Sequence, residues 1–257
     1  MNTYTLITGA SSGIGKAYAY EYAKRHQNLI LVARSQDKLQ ALATELQTRY
    51  HIIAEVITID LSQEYAAELL HEEIIQKEFL VDTLVNNAGF ATKGLFTDID
   101  YQRQHQEMLL NVVTLTELAY YFAKDMKERT QGTIINIASA ASFNPLPYSA
   151  VYAATKAYVL SFSESLHYEY KNYNVKVLAV CPGATDTHFF DHFGAVTKKL
   201  RKPEDVVHTS FKGLKKNKII CCDGLFCKVQ VALHRITTRK FAVHFMGRTG
   251  RKTWGKK

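Results

Sequence analysis

The stretch Thr3-Tyr4-Thr5-Leu6-Ile7-Thr8-Gly9-Ala10-Ser11-Ser12-Gly13-Ile14-Gly15 decides the fold. An apolar, β-branched run enters a turn with three glycines, and a helical pattern follows at once. Such a turn lets backbone approach an anion closely, and the helix start offers free N–H groups with a partial positive charge. The spacing is G-x3-G-x-G rather than the common G-x-G-x-x-G of dinucleotide sites. On its own the turn is equally compatible with a tight loop that holds nothing. If it is a cradle, its members are Gly9, Ser11, Ser12, Gly13, Ile14 and Gly15.

Outward from this turn, short apolar runs alternate with longer helical patterns. Strands are predicted at Thr3 to Thr8, Leu29 to Ala33, Ile52 to Thr58, Thr83 to Asn86, Gly132 to Ala138, Val175 to Val180 and Ile219 to Cys222. Helices are predicted to begin near Gly13, Gln36, Gln63, Tyr101, Tyr152 and Pro203. Alternation of this kind requires crossovers, which put helices on both faces of a parallel sheet. The expected fold is α/β, a Rossmann-like doubly wound parallel sheet of about seven strands, with ligands at the carboxyl ends of the strands. The 257 residues are 47% hydrophobic and 22% charged, which fits one large globular domain and excludes collagen, disorder and coiled coil. No apolar run reaches the length of a membrane span.

The second strand bears on nucleotide choice. A site for an unphosphorylated ribose usually places an acid there, whereas this strand ends at Arg34-Ser35, with Lys38 one turn on. Arginine suits a 2′-phosphate. Asp60-Leu61, after the third strand, reads either as an adenine-edge contact or as a helix cap. Tyr152 and Lys156 stand four residues apart, on one helix face. Unit charges about 4 Å apart at an effective dielectric of ~20 interact by roughly 4 kcal/mol, which would bring a phenol from about 10 toward 7, where it can exchange protons. Ser139 ends the fifth strand, Asn86-Asn87-Ala88-Gly89 ends the fourth, and Asn111 lies in the helix between them.

Taken together, Thr8 to Gly15, Asn86 to Gly89, Asn111, Ser139, Tyr152-x3-Lys156 and Pro182-Gly183 resemble the short-chain dehydrogenase/reductase family over residues 1 to about 220. The resemblance implies an NADP(H)-dependent enzyme that reduces a ketone or aldehyde, reversibly. It casts Tyr152 as proton donor or acceptor, Lys156 as the group that lowers its pKa and holds the nicotinamide ribose, Ser139 as a hydrogen-bond donor to the carbonyl, and Asn111 as holder of a relay water. Asn87, Ala88 and Gly89 would support the cofactor cleft, and Pro182, Gly183 and Thr187 would touch its nicotinamide half. Arg34 resembles the NADP(H)-preferring branch, although Ser12 replaces the second basic residue of some members. The motifs also look like the subgroup of keto-acyl and steroid reductases. From another class, a non-catalytic NADP(H)-binding sensor or scaffold would keep the fold, yet has no need of the proton-transfer hydroxyl.

The stretch Thr187-His188-Phe189-Phe190-Asp191-His192-Phe193 reads as a cover for a small apolar carbonyl substrate, or else as core. No carboxylate or cysteine completes a metal site around His188 and His192, so no metal is expected. Cys181, Cys221, Cys222 and Cys227 lack a bridging spacing, and with no basic leader and apolar core in the first residues the expectation is a cytoplasmic protein with free thiols. The net charge of +8 is uneven: residues 224 to 257 hold nine Lys or Arg and no Asp or Glu. The chain is therefore divided into a catalytic domain, 1–223, and a basic extension, 224–257. That extension packs on the core or a second subunit, in a homodimer or homotetramer as the resemblance implies, or lies on an anionic membrane. Nucleic acid is not an expected partner, since the charge sits at one end and no recognition motif accompanies it.

Overall fold

The computed structural model describes residues 2–187, 189, 200–234 and 237–254. Seven parallel strands form one sheet in the order β3-β2-β1-β4-β5-β6-β7. They are β1 (Thr3–Thr8), β2 (Asn28–Ala33), β3 (Ala54–Thr58), β4 (Leu80–Asn86), β5 (Gly132–Ile137), β6 (Val175–Cys181) and β7 (Ile220–Cys222). The helices are α1 (Gly13–Ala23), α2 (Gln36–Tyr50), α3 (Ala66–Gln76), α4 (Tyr101–Met108), α5 (Leu115–Glu128), α6 (Ala150–Tyr170), α7 (Pro203–Lys215), α8 (Leu225–His234) and α9 (Arg239–Trp254). The doubly wound parallel sheet is therefore present as the alternating pattern requires.

Strands buried on both faces read as continuous apolar runs, and Leu29, Ile30, Leu31 and Val32 are all fully buried. Tyr18, Leu39 and Val206, from α1, α2 and α7, pack in one core layer with Leu29 and Leu31. Leu70 and Phe122, from α3 and α5, pack in the other with Ile30 and Val32.

Element boundaries differ from expectation where local polar groups intervene. β3 starts two residues late because His51 closes α2 in the left-handed region and Ile53 donates its N–H to the Asn28 side chain at 3.0 Å instead of to a strand. β4 starts three residues early, with Leu80 opposite Thr3, although Asp82 interrupts its apolar run. α3 begins at Ala66, because Asp60 accepts hydrogen bonds from the Ser62 amide (3.0 Å) and hydroxyl (2.7 Å) and turns the chain first. Asp60 thus caps a turn and not that helix. Between α4 and α5, Leu109–Thr114 winds as a π-helix.

Beyond Asp223, α8 and α9 send side chains into the body of the protein. Cys227 is buried with Val159, Leu160 and Cys181, and Ala242 is buried as well. The four thiols are unbridged. The buried Asp223 accepts from Arg201 Nε at 2.9 Å and Nη2 at 3.0 Å, and from the Thr209 hydroxyl at 2.8 Å, fastening the end of β7 to the chain leading into α7. No helix among the described residues is long and apolar enough to cross a membrane.

A buried polar ladder sets α6 against the sheet. Asn86 Nδ2 donates to Asn136 Oδ1 across the β4–β5 pair (3.0 Å), and Asn136 Nδ2 donates to Ser163 Oγ on α6 (2.9 Å). Asn86 Nδ2 also donates to Leu115 O (3.3 Å) and Ser163 Oγ to Val159 O (2.6 Å), so replacing Asn136 by Ala strands neither and costs the two lost hydrogen bonds, about 0.5–1.5 kcal/mol each. Chemical denaturation of Asn136→Ala is expected to show a loss of about 1–3 kcal/mol, and an unchanged midpoint would mean that the ladder contributes nothing.

Candidate active site

A cleft of about 420 Å³ opens at the carboxyl ends of the strands. It lies where β1 and β4 are neighbours and the connections leave in opposite directions, the place where doubly wound sheets hold ligands. The glycine turn forms its floor. Gly9 (φ +66°) and Gly13 (φ +54°) have left-handed backbone, and a Cβ on Gly15 would run into the Gly9 carbonyl. Ser12 begins α1 without a capping side chain, so the first amides of the helix face the cleft with no internal acceptor.

Of the residues singled out in the sequence, Gly9, Ser11, Ser12, Gly13, Ile14, Arg34, Ser35, Asp60, Leu61, Asn87, Ala88, Gly89, Ser139, Tyr152, Lys156, Pro182, Gly183 and Thr187 all line this one cleft. Gly15 stands behind the turn and serves its shape. Asn111 is fully buried behind Gly89, whose missing side chain leaves room for it: a Cβ there would sit 2.9 Å from Asn111 Oδ1 and 3.5 Å from Lys156 Nζ. The π-turn carries Asn111 to the loop after β4, where its Nδ2 donates to Phe90 O at 2.9 Å and Thr155 Oγ1 at 3.1 Å, and its Oδ1 accepts from Phe90 N at 3.2 Å. His188 and His192, with most of the proposed cover, lie outside the described residues. Phe189 is described; its ring is 5.6 Å from that of Tyr152, inside the cleft.

At one end Arg34 is exposed on the rim, and its charge, with the Ser62 hydrogen bonds, outweighs burial to hold the Asp60 carboxyl below its ordinary range. At the other end the electrostatics differ from expectation. Burial pushes the Tyr152 phenol up to about 12, Ser139 pulls the other way and Glu107 adds to the rise. Lys156 does not bring it toward 7. Its ammonium donates to Ile137 O at 2.7 Å, and burial lowers it to about 8. The four-residue spacing placed both groups in one cleft, but the partner of the lysine is a strand carbonyl that no spacing reveals.

Thr8, Phe90, Arg103 and Glu107 take parts that the sequence analysis did not assign. Thr8 closes β1 and its hydroxyl accepts from Asn87 N (2.9 Å) and Ala88 N (3.0 Å). Arg103 and Phe90 line the cleft with the guanidinium 3.7 Å from the ring centre. Glu107, one turn before Asn111, is wholly buried; its Oε2 accepts from Thr92 N at 3.0 Å and Thr92 Oγ1 at 2.6 Å, while its Oε1 has no hydrogen-bond partner among the described residues. A glutamate within Gln-Arg-Gln-His-Gln-Glu reads as a solvated helix face, so no local signal marks it.

Burial pushes the Glu107 carboxyl up to about 7, against the Thr92 hydrogen bonds and the charges of Lys156 and Arg103. A carboxyl raised in the folded state adds stability that is complete below its ordinary value of 4.5 and is lost as pH rises through about 7. Glu107→Gln has nothing to ionise. The variant is expected to gain on the wild type between pH 5 and pH 8 in thermal unfolding, and a gap that is constant with pH would show that this carboxyl titrates normally.

With the geometry in place, comparison with known proteins assigns the family. Residues 3–196 match the short chain dehydrogenase family model. The chain is 33% identical over 216 residues to a 7beta-hydroxysteroid dehydrogenase of Clostridium sardiniense, covering 82% of each. It is 32% identical over 209 residues to a very-long-chain 3-oxoacyl-CoA reductase of Rattus norvegicus, covering 79% of this chain and 63% of that protein. The chain thus spans about three fifths of the curated 3-oxoacyl-CoA reductases it matches first. Among solved structures, a short-chain dehydrogenase from Sphingobium yanoikuyae in complex with NADPH superposes with a TM-score of 0.82 at 29% identity, covering 98% of this chain and 95% of that one. The glycine turn, the Asn-Asn-Ala-Gly loop and the Tyr152-Lys156 pair thus belong together for a reason of descent: the chain is a member of the short-chain dehydrogenase family.

Proposed function

We propose that the protein catalyses the NADPH-dependent reduction of an apolar ketone or aldehyde, and the reverse oxidation of the alcohol. The observation that carries this reading is the presence of Ser139, Tyr152 and Lys156 in the same cleft as the glycine cradle and Arg34. The cradle suits a dinucleotide, since a Cβ on any of its key glycines would meet backbone or side chain, and an arginine rather than an acid follows β2. Ser11 to Ile14 and the start of α1 would hold the pyrophosphate, Arg34 the 2′-phosphate, and Pro182, Gly183 and Thr187 the nicotinamide half. When bound, the reduced nicotinamide supplies the hydride.

The remaining steps belong to the chain itself. Ser139 donates a hydrogen bond to the carbonyl oxygen and polarises it. Tyr152 gives that oxygen its proton; a phenol held up near 12 stays protonated at neutral pH and is therefore loaded for reduction. Lys156 would hold the nicotinamide ribose, and Asn111 would hold a water through which Tyr152 regains its proton. Phe189 and Leu110 exclude water from the reacting atoms and favour an apolar substrate. The substrate classes named for relatives, hydroxysteroids and very-long-chain 3-oxoacyl-CoA thioesters, both carry the reacting carbonyl or alcohol on a long apolar skeleton, although the second ends in an anionic coenzyme A.

NADPH oxidation measured against ketones, aldehydes and 3-oxoacyl thioesters tests the activity directly; no turnover with any of them would reject it. Tyr152→Phe is expected to bind NADPH normally and to lose at least about a hundredfold in kcat. Near-normal turnover would remove the tyrosine from the mechanism. The wild type is expected to prefer NADPH over NADH by about tenfold or more, and Arg34→Asp to reverse that order, because charge-assisted hydrogen bonds to a phosphate contribute about 1.5–3 kcal/mol. Equal affinities in the wild type would place Arg34 in solvent.

A further inference from the structure

The basic extension takes no part in the chemistry above, yet its last helix walls a second cavity. α9 presents Val243, His244, Arg248 and Arg251 to a trough of about 520 Å³, whose opposite wall comes from the loop after β4 and the start of α6, including Phe96 and Val151. Gly247 allows the approach, since a Cβ there would be 3.6 Å from Pro147. The volume is that of an ordinary small-molecule site. The trough shares no described lining residue with the cleft of Tyr152.

Its chemistry is one-sided. The walls are mostly apolar, the only charged residues among those described in the lining are Arg248 and Arg251, and His244 adds a third nitrogen group on the same helix face. Neither guanidinium has an ion pair with a described residue. Two like charges three residues apart on one helix repel, and an anion between them turns that repulsion into attraction. Guanidinium forks fit the two oxygens of a carboxylate. An apolar trough with an unpaired cationic lip is complementary to a molecule with a long apolar body and one anionic end.

We propose that this trough binds an amphipathic anion of fatty-acid size, its chain against Phe96, Val151 and Val243 and its carboxylate on Arg248 and Arg251. The site is a ligand pocket on the body of the protein and gives the extension a role other than membrane attachment. It is independent of the reductase reading.

The test is titration of the full chain with cis-parinaric acid, a fluorescent fatty acid, kept below its micelle concentration. Saturable binding of one molecule per chain is expected. The double variant Arg248→Ala/Arg251→Ala and, separately, the methyl ester of the probe are each expected to bind about tenfold more weakly or worse. Val243→Trp is expected to block the trough. Thermal unfolding of each variant checks that it folds, and where Val243→Trp does not, the ester decides the matter on wild-type protein. Undiminished binding by the double variant, equal binding of acid and ester, or binding to anionic vesicles without binding of the dispersed acid would each overturn the proposal. The assay needs neither nucleotide nor turnover, so its failure is distinct from failure of the reductase assignment.

Discussion

The hydroxyl of Thr8 holds together the two strands between which the sheet changes direction. It accepts from the Asn87 and Ala88 amides and lies 3.3 Å from Val85 O, while Asn87 Nδ2 donates back to Thr8 O at 2.9 Å. Beyond the last rung of a parallel pair, backbone groups lose their strand partners and must find others. At β1 and β4 they find each other, which keeps the two strand ends side by side while the chain leaves one into α1 and the other toward α4. The crevice that results is the cleft. Its narrowness explains why glycine occupies positions 9 and 15: a Cβ at either meets the Asn87 side chain.

The chemistry at the far end of the cleft depends on burial more than on pairing. Tyr152, Lys156 and Glu107 are all moved toward their neutral forms by loss of water. At neutral pH the Tyr152 phenol keeps its proton, and the Lys156 ammonium, at about 8, still carries its charge. Asn111 reaches this set only because the helix widens to π-geometry over Leu109–Thr114, a local distortion common at functional sites. The distortion costs backbone regularity and is offset by the three hydrogen bonds of the Asn111 side chain.

The basic extension illustrates a different balance. Its nine positive charges exceed the protein's net charge of +8, yet α8 and α9 are joined to the body by apolar contacts, with Cys227 and Ala242 buried. Hydrophobic burial places the helix, and the charges then fall where the geometry of the helix puts them. Two of them are brought to the rim of an apolar trough, with no acid in its described lining. Phe241 and Phe245 stack on each other on an exposed part of the same helix, at 6.1 Å between ring centres.

The sequence by itself determined the architecture and most of the cleft. Strand-sized apolar runs can satisfy their backbones only in a covered parallel sheet, and a glycine turn directly after β1 has only the carboxyl edge on which to sit. Because ligand clefts of doubly wound sheets form at strand ends, the gathering of Arg34, Asp60, Asn87, Ser139, Tyr152 and Lys156 around one cleft was legible from their places at strand ends and on one helix face together with the family resemblance. What tertiary structure decided are the contacts between groups distant in the chain. Thr8 gains its meaning from Asn87, Lys156 from the Ile137 carbonyl, Glu107 from Thr92, and Arg248 and Arg251 from Phe96 and Val151. A local pattern records the face that a residue occupies, whereas burial and hydrogen-bond partners depend on which other segment arrives at that face, and those two quantities set the pKa of Tyr152 and the shape of both cavities.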